Sequence, residues 1–350
     1  MTLQTLADQL GVSRMTVSNA FSRPDQLSPE LRQRILAAAI DAGYTGPDPA
    51  ARALARGTVG TIGILLTDSL ADALRDDVAT SLLASIAAEL ARTGKGLTLL
   101  TTIEHDGFVP ARDIPMDGAL VHSCGADLAA VDWLKRRRLP LVFIDQTPVS
   151  GYPSVNVDDE GGAAQAAQHL VDLGHRRVGI VVTLDHVDRG PIGRLNGVRQ
   201  HHSAAARWKG WRRVLTSAGI DPVVVNARGK DEEAGAEAAR QLLAVRSQDR
   251  PTGVLTYSDR LAAGVMRAGF DLGVGVPEQL SVVGFDDASF ASRLQPSLTT
   301  VTQDVVEKGR QATVMLLRSV ADPSARGARR VVLPTHLTVR ASTAMVNPTR

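Results

Sequence analysis

A single cysteine, Cys124, leaves the chain without an internal disulfide or a second thiolate for a zinc knuckle. Cys124 therefore reads as a small buried hydrophobe. Aromatic residues make up only 3% of the chain, too few for the stacking platforms that bind single-stranded nucleic acid or for a ring-lined sugar box. No apolar run approaches the ~20 residues that span a bilayer, and the N-terminus is too polar for a secretory signal. The expectation is a soluble, cytoplasmic protein with no membrane partner. Excess charge of one sign is missing too: the net charge is +2, and residues 1–58 hold six arginines against five acidic residues. Bulk charge alone does not point to nucleic acid. At 350 residues, and roughly 150 per domain, the chain has room for two or three domains and a large core.

What is present begins with Leu6–Phe21, LADQLGVSRMTVSNAF. A first helix runs from Thr2 or Gln4 to Gln9 with Leu3, Leu6, Ala7 and Leu10 inward, and Gly11 ends it without a Cβ penalty. Ser13 caps a second helix from Arg14, on which Val17 and Phe21 share one face while Arg14, Met15, Ser18 and Asn19 point elsewhere. Ser28-Pro29-Glu30 opens a third helix whose Leu31, Ile35, Leu36, Ala39 and Ile40 recur at helical spacing up to Gly43. Three short helices with this turn form a helix-turn-helix headpiece. A plain helical bundle uses the same anchor residue types and is the structural alternative.

From Tyr44 to Gly57 the chain turns through Gly46, Pro47 and Pro49 and offers a short Ala-rich segment, AARALAR, with Leu54 exposed between Arg52 and Arg56. Alone it is too short to be a stable helix, which suits a linker that orders on binding. After Gly60 the texture changes. Apolar strands at 61–67, 97–102, 118–123 and 141–146 alternate with helices at 76–93 and 128–138. A second series follows, with strands at 178–183, 222–226, 253–257 and 281–286 and helices at 161–173, 207–218, 231–244 and 259–272. Continuous apolar strands between helices predict parallel sheets covered on both faces, in two doubly wound lobes. Ligands in such sheets bind at the carboxyl ends of strands, where this chain places Thr67, Asp68, Asp145, Ser258, Asp259, Asp286 and Asp287.

With headpiece, linker and two lobes in place, the chain resembles the lactose/galactose repressor (LacI/GalR) family of bacterial transcription regulators. Four segments carry the resemblance: residues 6–44, AARAL at 50–54, HLVDLGHRRVGIV at 169–181, and SVVGFDD with PSLTTV within 281–301. It implies a DNA-contacting set of Ser13, Arg14, Met15, Thr16, Ser18 and Asn19 in the headpiece, with Ala51 and Leu54 in the hinge. Arg14 suits a bidentate contact to guanine and Asn19 one to adenine, and Leu54 would wedge between base steps in the minor groove. Many relatives carry arginine where Asn19 stands. The resemblance also implies a small effector between the lobes, contacted by Asp68, Asp145, Arg207, Lys230, Ser258, Asp259 and Asp286. Asp286 and Asp287 as caps, and Arg207 as a solvated helix residue, are the structural alternatives.

Departures shape the ligand expectation. Lys230 stands near where sugar-binding relatives place a ring, and with Arg207 in a pocket poor in rings it predicts an acidic or strongly polar effector. The connection Asp185–Ala206, with His186, His201 and His202, reads as a surface loop and not as a metal site. Gly273-Val-Gly275 follows a helix instead of a strand, so it is a turn and not a phosphate loop. With no P-loop, nucleophile elbow or metal triad, no enzyme, cofactor or metal is expected. Together these features predict an α/β chain: a headpiece at 1–44, a linker with hinge helix at 45–58, and a two-lobed, periplasmic-binding-protein-like effector domain at 59–350. It acts as a homodimeric, effector-controlled regulator, in all expectation a repressor, on double-stranded operator DNA. A solute-binding protein of the same two lobes is the rival. The tail after Val339 has no heptad pattern, which argues against a C-terminal coiled coil.

Overall fold

The computed structural model describes residues 2–46, 48, 51, 53–54, 57–66, 70–123, 128–183, 202–325 and 327–346. The expectations for Thr67, Asp68, Cys124, Arg52, Arg56, His186 and His201 lie outside the described residues. Two compact units emerge, Met1–Gly60 and Thr61–Arg350.

In the first unit, α1 (Leu3–Leu10) stops at Gly11, whose φ of 66° is the left-handed conformation that glycine adopts without steric cost. Ser13 caps α2 (Arg14–Ser22) by accepting from the Thr16 N–H at 3.0 Å, and Ser28 caps α3 (Pro29–Asp41) with Pro29 at its first turn. Leu6, Ala7, Val17, Ala20, Ile35 and Ala39 close one small core, edged by Phe21 and Tyr44 in a T-shaped pair at 5.7 Å. Ile40 departs from the periodic reading, being 78% exposed. Its spacing continues the apolar stripe past the point where α1 and α2 supply a surface to cover it. Beyond α3, the backbone at Ala51, Ala53 and Leu54 is helical, and Ala51 donates its N–H to Asp48 Oδ1 at 2.9 Å. Leu54 is 86% exposed.

The second unit holds two six-stranded sheets. The first combines β1 (Thr61–Leu66), β2 (Gly96–Leu100), β3 (Gly118–His122), β4 (Leu141–Ile144), β5 (Ser154–Val157) and β11 (Arg330–Leu333), in the order β11-β5-β4-β3-β1-β2 and wholly parallel. Alternate β1 residues face opposite layers: Ile62, Ile64 and Leu66 pack under α4 (Asp77–Ala91) and α10 (Val305–Ala321), while Leu65 meets Phe143 and α5 (Ala129–Arg136). This is the first lobe. The second lobe combines β6 (Val178–Thr183), β7 (Val223–Ala227), β8 (Gly253–Thr256), β9 (Ser281–Asp286), β10 (Thr299–Gln303) and β12 (Thr335–Thr338), in the order β12-β10-β9-β8-β6-β7, with only β12 antiparallel. One of its faces packs α8 (Glu232–Leu243) and α9 (Asp259–Asp271), the other α6 (Asp159–Asp172) and α7 (His202–Ser217).

Element types match the alternating pattern, but connectivity does not follow two successive series. The chain crosses between lobes three times: after β5, where Asp158 caps α6; after β10, where Asp304 caps α10; and between β11 and β12. Residues 305–333 therefore return to the first lobe. Periodicity reports the kind of element, while the sheet it joins is decided by these short crossings. Helix α7 also begins at His202, five residues before the expected 207. It lies so close to α6 that a Cβ on Gly210 would stand 2.2 Å from the Glu160 carbonyl oxygen. The tail past Val339 packs on the second lobe, with Ser342 fully buried and its hydroxyl donating to the Val282 carbonyl at 2.6 Å. Among the described residues no helix is long and apolar enough to cross a membrane.

Candidate functional site

The carboxyl ends of the strands from both lobes face a common cleft. Its lining includes Asp76, His122, Asp145, Ser203, Arg207, Lys230, Tyr257, Ser258, Asp286 and Gln303. Behind that surface runs a chain of hydrogen bonds that passes from one lobe to the other. Lys308, on α10 of the first lobe, is fully buried; its Nζ donates to Asp145 Oδ2 and, at 2.7 Å, to Gln303 Oε1 at the end of β10 in the second lobe. Gln303 Nε2 donates to Asp286 Oδ1 at 2.7 Å, and the same oxygen accepts from Arg207 Nη2 at 3.2 Å. Arg207 ends the chain with Nε donating to Asp159 Oδ1 at 2.8 Å and Nη1 to the Tyr257 carbonyl.

Local sequence explains why these groups converge. Asp145, Asp286 and Asp287 each take positive φ, at 51°, 114° and 56°, so the chain leaves strands β4 and β9 on short polar side chains that tolerate such turns. Non-glycine residues in these regions store backbone strain and cluster at functional sites. Arg207 is pinned from α7, its guanidinium stacked 3.5 Å from the Phe285 ring centroid and 4.7 Å from that of Tyr257.

Charge follows the geometry. Burial alone would raise the Asp145 carboxyl, but Lys308 beside it and His122, whose Nε2 lies 3.4 Å from Oδ2, hold it well below the usual carboxylate range. Burial works against the Arg207 charge as well, and the Asp286 and Asp159 carboxylates outweigh it, so Arg207 stays protonated. Burial pushes Asp286 up, Arg207 pulls it back, and Asp76 adds to the rise. Burial and Asp286 likewise push Asp259 up. The second oxygen of Asp145, Oδ1, is buried and accepts no hydrogen bond.

The residues expected from sequence divide under this geometry. Asp145, Arg207, Lys230, Ser258 and Asp286 line the cleft. Ser258 also caps α9, accepting from the Leu261 N–H at 3.4 Å. Asp259 does not face the cleft: it is buried behind β9, where it accepts from Thr300 Oγ1 at 2.5 Å and the Ala288 N–H at 2.7 Å. Its carboxylate is consumed in holding the loop after Asp286. Arg207, expected to meet an acidic ligand, donates from each of its three guanidinium nitrogens within the protein, to Asp159, the Tyr257 carbonyl and Asp286. Tyr257 is the one tyrosine, phenylalanine or tryptophan in the described lining. Lys308, Gln303, His122, Asp159 and Asp76 escaped sequence reading, as charged or amide residues in ordinary helix and strand contexts. No group of three or more metal-ligating side chains occurs among the described residues.

On the headpiece, Arg14 and Met15 are exposed, Met15 at 72%, beside half-buried Thr16, Ser18 and Asn19. Ser13 and Thr16 join hydroxyls at 2.8 Å, and Asn19 donates its amide to Gln26 Oε1 at 3.1 Å. Gln26 thus orients the least typical residue of the helix.

Residues 2–46 match the bacterial regulatory proteins, lacI family, and residues 167–343 the periplasmic binding protein-like domain. The chain is 36% identical over 331 residues to the HTH-type transcriptional regulator IpsA of Corynebacterium glutamicum, covering 91% of each. It belongs to the LacI family. A second relative, the HTH-type transcriptional regulator Rv3575c of Mycobacterium tuberculosis, is 34% identical over 332 residues, 91% of this chain and 90% of that one. In fold, this LacI-family chain is similar to the lac repressor dimer bound to operator and an anti-inducer, with a TM-score of 0.80 at 24% identity over 98% and 99% of the two chains. It is a DNA-binding transcriptional regulator, not an enzyme.

The buried lysine yields a test. Lys308→Met leaves Asp145 with His122 alone beside it and the Gln303 side-chain carbonyl without its ammonium donor, and removing one partner of a buried pair costs about 3–5 kcal/mol. In the wild type Asp145 titrates below its unfolded range, so its contribution is present above about pH 4 and lost as pH falls further. Without Lys308, burial raises Asp145 instead, so the deficit in urea unfolding is largest at pH 7 and narrows toward pH 4. A deficit that is the same at both pH values contradicts the pairing.

Proposed function

We propose that this regulator binds a pseudo-palindromic operator as a homodimer, one headpiece per half-site, and represses transcription until a small hydroxyl-rich effector in the cleft changes its DNA affinity. Arg14, Met15, Thr16, Ser18 and Asn19 read base edges in the major groove, flanked by Ser13. Ala51 and Leu54 act in the minor groove, where an exposed apolar side chain suits insertion between base steps. The observation that carries the effector reading is Asp145, a cleft-lining residue whose Oδ1 is buried and accepts no hydrogen bond, and so is an acceptor short of a donor. With Asp76, Asp145 and Asp286 in the lining beside Lys230, and with Arg207 and Lys308 bonded to carboxylates within the protein, the cleft offers acceptors to a neutral ligand more readily than cations to an anion. A groove on the second lobe lined by Ala263, Met266, Phe270, Val274 and Leu294, with Phe270 85% exposed, supports the dimer.

The wedge is tested with operator fragments selected from genomic DNA. Leu54→Ala weakens binding to the selected operator by tenfold or more, about 1.4 kcal/mol, and leaves non-specific duplex binding within twofold. Equal loss on both DNAs contradicts the wedge. For the effector, a thermal-shift panel of neutral sugars and polyols beside their carboxylated and phosphorylated counterparts separates the classes. At least one neutral member stabilises the protein, by about 2.7 kcal/mol at a hundredfold excess over its Kd, and Asp145→Asn abolishes that shift. Stabilisation by anionic members alone would overturn the assignment.

A further inference from the structure

Because the first sheet is wholly parallel, the amino ends of all six strands lie along one edge. The chain enters the lobe at that edge, since β1 begins at Thr61, directly after the hinge segment. The same edge is basic. Lys135-Arg-Arg-Arg138 ends α5 and leads into β4, and Arg329-Arg330 opens β11. Several cations there are already balanced: Lys95 by Asp117 at 2.8 Å, Arg92 by Glu89 at 3.4 Å, and Lys135 by Asp132 at 3.7 Å. Arg137 turns inward to the Ala111 carbonyl. Arg136, Arg329 and Arg330 are exposed, and so is Arg138, which also keeps a partner within the protein. Arg136 is held with its guanidinium 5.2 Å from the Trp133 ring centroid, a stacking that leaves its edge donors directed outward and reduces the entropy lost on contact.

We propose that this edge grips the sugar-phosphate backbone of duplex DNA flanking the operator, through Arg136, Arg138, Arg329 and Arg330. Chain length makes the contact reachable. Thr61 follows Leu54 by seven residue steps, so DNA held at the hinge lies within roughly 25 Å of the start of β1. Strand β11 stands four places from β1, roughly 19 Å along the edge at 4.8 Å per strand. Guanidinium groups so spaced neutralise phosphates without reading sequence, and they act on DNA that the headpiece has already brought close. The inference rests on the operator-binding reading but adds a surface outside the headpiece, hinge and cleft.

The test uses the full chain and an operator duplex recovered by selection from a random-sequence library, prepared in two lengths. One is trimmed to the headpiece footprint; the other carries about 20 extra base pairs, two helical turns, on each side. Binding is followed by fluorescence anisotropy over a series of salt concentrations. Each phosphate neutralised adds about 0.9 to the slope of log K against log salt, so the wild type shows a slope steeper by at least about 2 on the long duplex. Arg136→Gln, Arg138→Gln, Arg329→Gln and Arg330→Gln together abolish that increment and leave the trimmed duplex unaffected. The double variant Arg329→Gln, Arg330→Gln, which spares the Trp133 stack and the left-handed Arg138, removes about half of it. A wild-type slope independent of duplex length, or a quadruple variant that weakens both duplexes equally, overturns the proposal. Failure to bind the trimmed duplex selectively overturns the operator reading instead.

Discussion

A buried ammonium group governs the effector domain. Lys308 has no access to water, and an ammonium stripped of solvent is tolerated only where acceptors surround it. It finds Asp145 in its own lobe and Gln303 in the other. Gln303 can serve Lys308 with its carbonyl only by presenting its amide to Asp286, and Asp286 is in turn clamped by Arg207. One electrostatic requirement therefore fixes side chains from α10, β4, β10, β9 and α7. It also ties the crossover from β10 into α10 to both lobes, because Lys308 bonds Gln303 at the end of β10 and Asp145 just after β4. On the proposed reading, a ligand that donates to Asp145 or Asp286 would engage carboxylates that also serve this network, which would couple the cleft to lobe orientation, and the coupling free energy would act equally on ligand and DNA affinity.

The headpiece was largely legible from sequence because its determinants are local. Gly11, Ser13 and Ser28-Pro29 act within a turn of where they stand, and the caps and the left-handed glycine occur as expected. Ile40 shows the limit: helical spacing marks a face, and only the neighbours decide how far that face is covered. In the lobes, strand and helix types followed from apolar runs, but the return of 305–333 to the first sheet did not, since three short crossings decide it.

The site was legible in part. Asp145, Arg207, Lys230, Ser258 and Asp286 come together as strand-end and helix residues should. Lys308 lies in VVEKGRQ, where it reads as one more charge on an amphipathic helix; its burial depends on a carboxylate 163 residues earlier. Asp259 failed in the opposite direction, a strand-end carboxylate turned away from the cleft by Thr300, a partner 41 residues later. Both cases have one cause. Whether a polar side chain meets ligand or protein is settled by long-range pairing, which spacing along the chain does not encode.

The most direct measurement of the central claim is a double-mutant cycle between Lys308→Met and Arg207→Met, read as urea unfolding of the effector domain within the full chain. The two side chains share no hydrogen bond; the hydrogen-bonded route between them runs through Gln303 and Asp286. Transmission of strain along the network predicts a coupling energy of about 1 kcal/mol or more. Effects that add within about 0.3–0.5 kcal/mol would mean that the two charges are independent, and would contradict a single interaction tying the lobes together.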